Sequence, residues 1–164
     1  MKRIVTIFAL FLVMMNLSCQ QQNRRTENPL LEKWETPYGV PPFDEIELSH
    51  YKPAFETAMA AHVAEIEAIT SQSEEPTFEN TILAYDRSGL LLEQVSLVFG
   101  MLSAADTNPE MQEIEAEVMP LLSAHSDRIL LNEKLFARVR AVHDQLSQAG
   151  LNKKQERLVK KIYT

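Results

Sequence analysis

Apolar residues recur along most of this chain at intervals of three and four, the spacing of one face of an α-helix. Phe55, Met59, His62, Ile66 and Ile69 trace the first such face. Its helix is expected to begin around residues 49–52, so that Pro53 falls in the first turn, where a missing N–H has no partner to lose. Thr77 is placed to cap a second helix, with Glu79 near its positive end. Ile82, Tyr85, Leu92, Val95, Phe99 and Leu102 form the main stripe of that helix, and Leu83, Leu90, Leu97, Val98 and Met101 form a second one. A helix apolar on two sides is predicted to be central. Gly89 lies on the main stripe, where an absent side chain lets another helix approach, at about 1 kcal/mol of helix propensity against alanine.

Asn108-Pro109-Glu110 is a start signal for a third helix: a cap, a proline at the first helical position and an acid near the positive end. Met111, Ile114, Val118, Leu121 and His125 follow at helical spacing, with Pro120 expected to kink the run. Asn132 caps a fourth helix carrying Leu135, Val139, Val142 and Leu146 up to Gly150, about five turns at 3.6 residues each. Asn152 caps a fifth, with Gln155, Leu158, Val159 and Ile162 on one side. No glycine, proline or polar cap follows it before Thr164, so this helix reads as cut inside its length. No stretch alternates as a strand does, and no Asn-Gly or Asp-Gly turn occurs. The expected fold is all-α, about five helices in an antiparallel array over residues 47–164.

The first residues belong to another pattern. Lys2 and Arg3 precede a run, 4–15, that is apolar but for Thr6 and is followed by Cys19; the run has 12 residues, against about 20 for a bilayer-spanning helix. Residues 1–18 are therefore expected to be a bacterial signal peptide. Asn16-Leu17-Ser18-Cys19 resembles a lipobox, although Asn16 replaces the usual aliphatic residue, and Cys19 is the candidate lipidation site. The alternative is an ordinary signal-peptidase cut that leaves Cys19 a free thiol. Residues 19–46 then read as a lipid-anchored tether and strap: Gln20 to Arg25 are polar, while 28–43 mix four prolines with Leu30, Leu31, Trp34, Tyr38 and Phe43 and are expected to lie across a helical body. No acidic run follows Cys19, which favours a periplasmic location.

Composition narrows the classes further. The chain is 45% hydrophobic and 24% charged with four glycines, as in an ordinary globular protein. Cys19 is the single cysteine, which excludes an intrachain disulfide and a multi-cysteine zinc site. Without residues 1–18 there are 14 basic against 23 acidic residues, a formal balance of −9, and nucleic acid is excluded as a partner. The only expected link to a membrane is the lipid on Cys19.

Candidate chemistry is sparse. A zinc peptidase places two histidines one helical turn apart with a glutamate between them, as in His-Glu-x-x-His, and none of His50, His62, His125 and His143 begins that motif. His62 and Glu65 fail the inverted arrangement because Ile66 follows, so His62 reads as a packed, locally hydrogen-bonded histidine. Glu47 and His50 match one half of a di-metal carboxylate site whose other half is absent. Glu110, Glu113 and Glu117 read as a solvated acidic face. His125-Ser126-Asp127 holds triad residue types without triad geometry. Lys153, Lys154, Lys160 and Lys161 read as another solvated face. No catalytic and no metal-binding residue is assigned.

The longer segments carry a resemblance. Pro41-Pro42-Phe43-Asp44-Glu45-Ile46, His50-Tyr51-Lys52-Pro53-Ala54-Phe55-Glu56 and Glu65-Ile66-Glu67-Ala68-Ile69 resemble the opening of peptidyl-dipeptidase and oligopeptidase A enzymes of the thimet oligopeptidase family. Pro76-Thr77-Phe78-Glu79-Asn80-Thr81-Ile82, Arg87-Ser88-Gly89-Leu90-Leu91, Ser103-Ala104-Ala105-Asp106-Thr107-Asn108 and Leu130-Leu131-Asn132 continue it in order, from about residue 28 to the end. The resemblance implies a large helical zinc metallopeptidase with a deep channel between two lobes, acting on short peptides, with the peptidyl-dipeptidase branch releasing dipeptides from carboxyl ends. These residues would then be one channel wall, their partner would be a catalytic lobe, and the zinc motif would lie far downstream, so this chain binds no zinc itself and is inactive alone. The departure is length, since family members run several hundred residues further. A stand-alone helical lipoprotein that binds peptides or a partner is the other function expected of such a chain.

Overall fold

Residues 28–164 are described by the computed structural model; the expected signal peptide, Cys19 and the polar tether lie outside them. The chain divides into two units, Met1–Ile46 and Glu47–Thr164. In the described part of the first, prolines set φ for two short 3₁₀ turns, Pro29–Leu31 and Pro37–Gly39. Asn28 accepts the Leu30 N–H at 3.0 Å, and the Trp34 indole N–H donates to the Pro29 carbonyl at 2.8 Å. The Thr36 hydroxyl donates to the Val40 carbonyl, closing the turn in which Tyr38 and Gly39 take left-handed φ values of 65° and 67°.

The second unit is helical, and no strand occurs among the described residues. Five helices carry it: α1 Leu48–Thr70, α2 Leu90–Ala105, α3 Pro109–Leu130, α4 Glu133–Asp144 and α5 Lys153–Tyr163. Between α1 and α2 stand a π-helical turn, Phe78–Leu83, and a short α-helical piece, Ala84–Asp86.

Capping follows the sequence closely. Asn108 accepts the Met111 N–H at 2.8 Å and Asn132 the Leu135 N–H at 3.0 Å. Asn152 accepts from Lys154 and Gln155, and Gln155 accepts the Asn152 N–H in return. Thr77 and Asn80 form the same reciprocal pair. At the head of α1, the Glu47 N–H donates to His50 Nδ1 at 3.0 Å, so that pair closes a helix end. At the far end of α5 the Thr164 hydroxyl donates to the Lys160 carbonyl at 2.7 Å.

Three expectations are corrected. α1 begins at Leu48, which puts Pro53 in its second turn and leaves the Ser49 carbonyl without its i+4 donor. The single second helix is broken, because Gly89 takes φ +75° and caps α2. Residues 87–89 turn between the two parts, with the Arg87 and Ser88 N–H groups donating to Leu83 and Tyr85 carbonyls. α4 has 12 residues and ends at Asp144. The chain then tightens into short turns, Leu146 onto His143 and Gln148 onto Gln145, before Gly150 at φ +62°. These turns leave Leu146 and Leu151 packed on the core, where a continuing helix would carry them apart. α3, by contrast, runs on through Pro120.

α1 is the central helix and packs against α2, α3 and α4. Near its start, Tyr51 and Phe55 meet Phe99 of α2 edge to face, with centroids 5.0 and 5.5 Å apart, a favoured aromatic geometry. Its last turns supply Ile66 and Ile69 to a core completed by Phe78 and Ile82 from the π turn, Ile129 from α3, Leu135, Val139 and Val142 from α4, and Val159 from α5. Arg138 of α4 is buried beside this core and donates to the Gln72 and Glu74 carbonyls and to Asn80 Oδ1, at 3.3, 3.1 and 3.1 Å. It thereby fastens the link between α1 and the π turn.

Candidate functional site

Polar side chains from three separate segments converge at one place along α1. His62 Nδ1 lies 2.9 Å from His125 Nε2 of α3, and His62 Nε2 lies 3.2 Å from the Ser88 hydroxyl in the 87–89 turn. Ser88 donates its own proton to the Tyr85 carbonyl at 2.8 Å. Ser88 must therefore accept from His62 Nε2–H, which leaves His62 Nδ1 as the acceptor of His125 Nε2–H. Next to the rings, the Gly89 N–H donates to Glu65 Oε2 at 2.7 Å. A Cβ on Gly89 would come within 3.0 Å of the His62 ring, so glycine serves there both the left-handed turn and the closeness of the imidazole.

Burial lowers the proton affinity of both rings below the ordinary histidine value. For His62 the Glu65 carboxylate opposes that effect; for His125 the neighbouring His62 and Arg128 add to it. Both histidines thus favour the neutral form that their mutual hydrogen bond requires.

Ser88, His62 and His125 stand in the order nucleophile, base and orienter, but their hydrogen bonds run the wrong way for nucleophilic catalysis. The serine proton goes to Tyr85, and the adjacent Gly89 N–H, which could have stabilised an oxyanion, already faces a carboxylate. Nor do these residues fit a zinc ion: among the described residues no three histidine, cysteine or acidic side chains are placed to hold a metal.

His62 is packed and hydrogen-bonded, yet its partners are distant in sequence, where a local one was expected. Both histidines sat on the inward stripes of their helices, which was the available signal; the part played by Ser88 and the clamp made by Arg138 had none. Of His125-Ser126-Asp127, only His125 turns inward. The acidic face of α3 is exposed, with Glu117 paired to Lys52 at 2.6 Å, and this raises the Lys52 proton affinity. The four C-terminal lysines are exposed, as a solvated face requires.

The other notable surface is apolar. Leu90, Leu97 and Met101 follow one another along α2 and are 58%, 58% and 51% exposed, while Val95, Val98 and Phe99 are buried. α2 is therefore covered on one side only, where the sequence had predicted cover on two. Taken with the π turn, Phe78–Ala105 is long and apolar enough to cross a membrane by composition alone. The break at 87–89, which begins at exposed Arg87 next to exposed Asp86, divides it into separate helical pieces.

The chain is 43% identical over 136 residues to dipeptidyl carboxypeptidase of Salmonella typhimurium, an alignment covering 83% of this chain and 20% of that protein. It is 42% identical over 138 residues to the Escherichia coli dipeptidyl carboxypeptidase, covering 84% and 20% respectively. Oligopeptidase A of Salmonella typhimurium matches at 28% over 132 residues, 80% of this chain and 19% of the relative. The chain spans about a fifth of the length of these curated relatives, in their N-terminal part. No protein-family model matches it.

Proposed function

We propose, from the premise that this chain belongs to the dipeptidyl carboxypeptidase and oligopeptidase A family through that family's N-terminal region, that it forms one wall of the channel of a zinc peptidase. The substrates are short peptides, and the relatives at 43% and 42% identity favour the branch that removes dipeptides from carboxyl ends. Zinc and the groups that activate water belong to a catalytic lobe; the residues described here position that lobe and restrict access to it. The observation that carries the reading is the ordered match to one fifth of much longer peptidases. The uncovered apolar stripe of α2 supports it, because an apolar helix face of this kind is what a packed neighbour requires. The signal peptide at 1–18 and a lipid on Cys19 would hold the assembly at the periplasmic side of a membrane.

Two measurements test this. The DNA beyond codon 164 is read for His-Glu-x-x-His, in frame or after a frameshift; its absence removes the main support. A product carrying both parts is then assayed on a blocked tetrapeptide. Dipeptide release that stops on chelation is the expected result, with no hydrolysis by the chain of 164 residues alone.

The same apolar stripe favours a second reading, a stand-alone helical lipoprotein that binds a peptide or partner on α2. Capture of peptides by the chain on its own, lost on Leu97→Glu, would favour that reading over the first.

A further inference from the structure

We propose that His62 and His125 form an acid-released latch, which holds the C-terminal half of α3 and the 87–89 turn against α1 and lets go once both rings are cationic. The hydrogen bonds of the cluster set the order of events. In the neutral pair His125 Nε2–H donates to His62 Nδ1, and His62 Nε2–H donates to Ser88. A first added proton enters on His125 Nδ1, which takes no part in that bond. It makes the donor a cation, so the link persists even though burial makes that proton unfavourable.

A second added proton has only His62 Nδ1 to occupy, the atom that accepts the link. Two N–H groups then face each other across 2.9 Å, each on a positive ring. The bond is lost and the like charges repel.

The charges around the pair act against that order. A first proton held on His62 Nδ1, however, would donate across the same contact to His125 Nε2, so the link survives one proton on either ring and fails at the second. From α1, Glu65 acts on His62 and favours its protonation, while from α3 Arg128 acts on His125 and disfavours it. Arg128 is itself drawn toward Glu67 of α1 at 3.6 Å, an exposed contact that does not hold the helices alone. The turn faces His62 with a neutral hydroxyl, Ser88. His125 and Arg128 line a groove between α1 and α3 together with Met59, Val63, Leu121 and Ala124, and release would widen it.

The test is a pH titration of the full chain from 8 to 4, following the imidazole Cε1–H signals and the backbone amides by NMR. Two coupled steps are expected for His62 and His125, more than one pH unit apart, as for any strongly interacting pair. The amides of residues 121–130 and of Ser88 and Gly89 should move with the second step. In His125→Gln, which keeps an N–H donor for His62 but cannot titrate, those shifts should be lost while the signals at pH 8 stay in place. Independent titration of the two rings in wild type, or amide shifts in residues 121–130 that persist in His125→Gln, would overturn the proposal. Should the variant fail to fold, the wild-type titration still decides, since uncoupled rings or unmoved amides exclude a latch.

Discussion

Gly89 and Arg138 are the two residues on which the local geometry depends most. Gly89→Ala places a Cβ 3.0 Å from the His62 ring on a backbone at φ +75°. The left-handed penalty of roughly 1–2 kcal/mol and the clash act together, so a loss of about 2 kcal/mol is expected in urea unfolding. Arg138 is buried and satisfies two carbonyls and the Asn80 side chain. Its replacement by Met keeps the stem but removes the donor of the Gln72 and Glu74 carbonyls, while Asn80 Oδ1 keeps the Thr77 N–H and the Thr81 hydroxyl, and about 3 kcal/mol should be lost. A smaller loss is expected for Asn80→Ala, because the two backbone acceptors keep their donor. An Arg138→Met variant as stable as wild type would show that the link between α1 and the π turn holds itself.

Among the elements, α2 separates stability from association. Leu97 is 58% exposed, so Leu97→Glu should alter the stability of the chain by less than about 0.5 kcal/mol. The same change should abolish assembly with a catalytic lobe, measured by co-purification of the two parts. Which helix ends could be read in advance is a matter of range. Thr77, Asn108, Asn132 and Asn152 cap through bonds to residues two or three positions on, and such bonds are written locally in the sequence. The break at Gly89 was not, because on a helical stripe a glycine reads as a close approach. Its left-handed turn is held by Glu65, 24 positions earlier. The same limit hid the His62 cluster: each histidine lay on a visible stripe, but which stripes meet is decided by packing between elements. The apolar spacing on the second face of α2 reports what a helix would bury and says nothing of what is there to bury it.

For the whole molecule the readable consequence is the acid limb of stability. The folded pair resists protons that the unfolded chain accepts near the ordinary histidine value, about 6.5. Its contribution is therefore fully present above that pH and is lost as the pH falls through the lowered folded values of His62 and His125. The unfolding free energy from urea titrations should be level from pH 8 to about 6.5 and then decline, by at most about 1.4 kcal/mol per pH unit for each proton taken up. His125→Gln should flatten the part of that decline that belongs to the pair.

The indole of Trp34 is the sole tryptophan, and its N–H is fixed to the Pro29 carbonyl within the first unit. Intrinsic fluorescence therefore watches the proline-rich segment, while among the described residues the α-helices that give far-ultraviolet dichroism all begin at Leu48 or later. The described parts of the two units thus carry different optical reporters without any label. Superimposable melting curves from the two signals would mean a single cooperative transition, and curves that separate would mean that the segment and the helices unfold on their own terms.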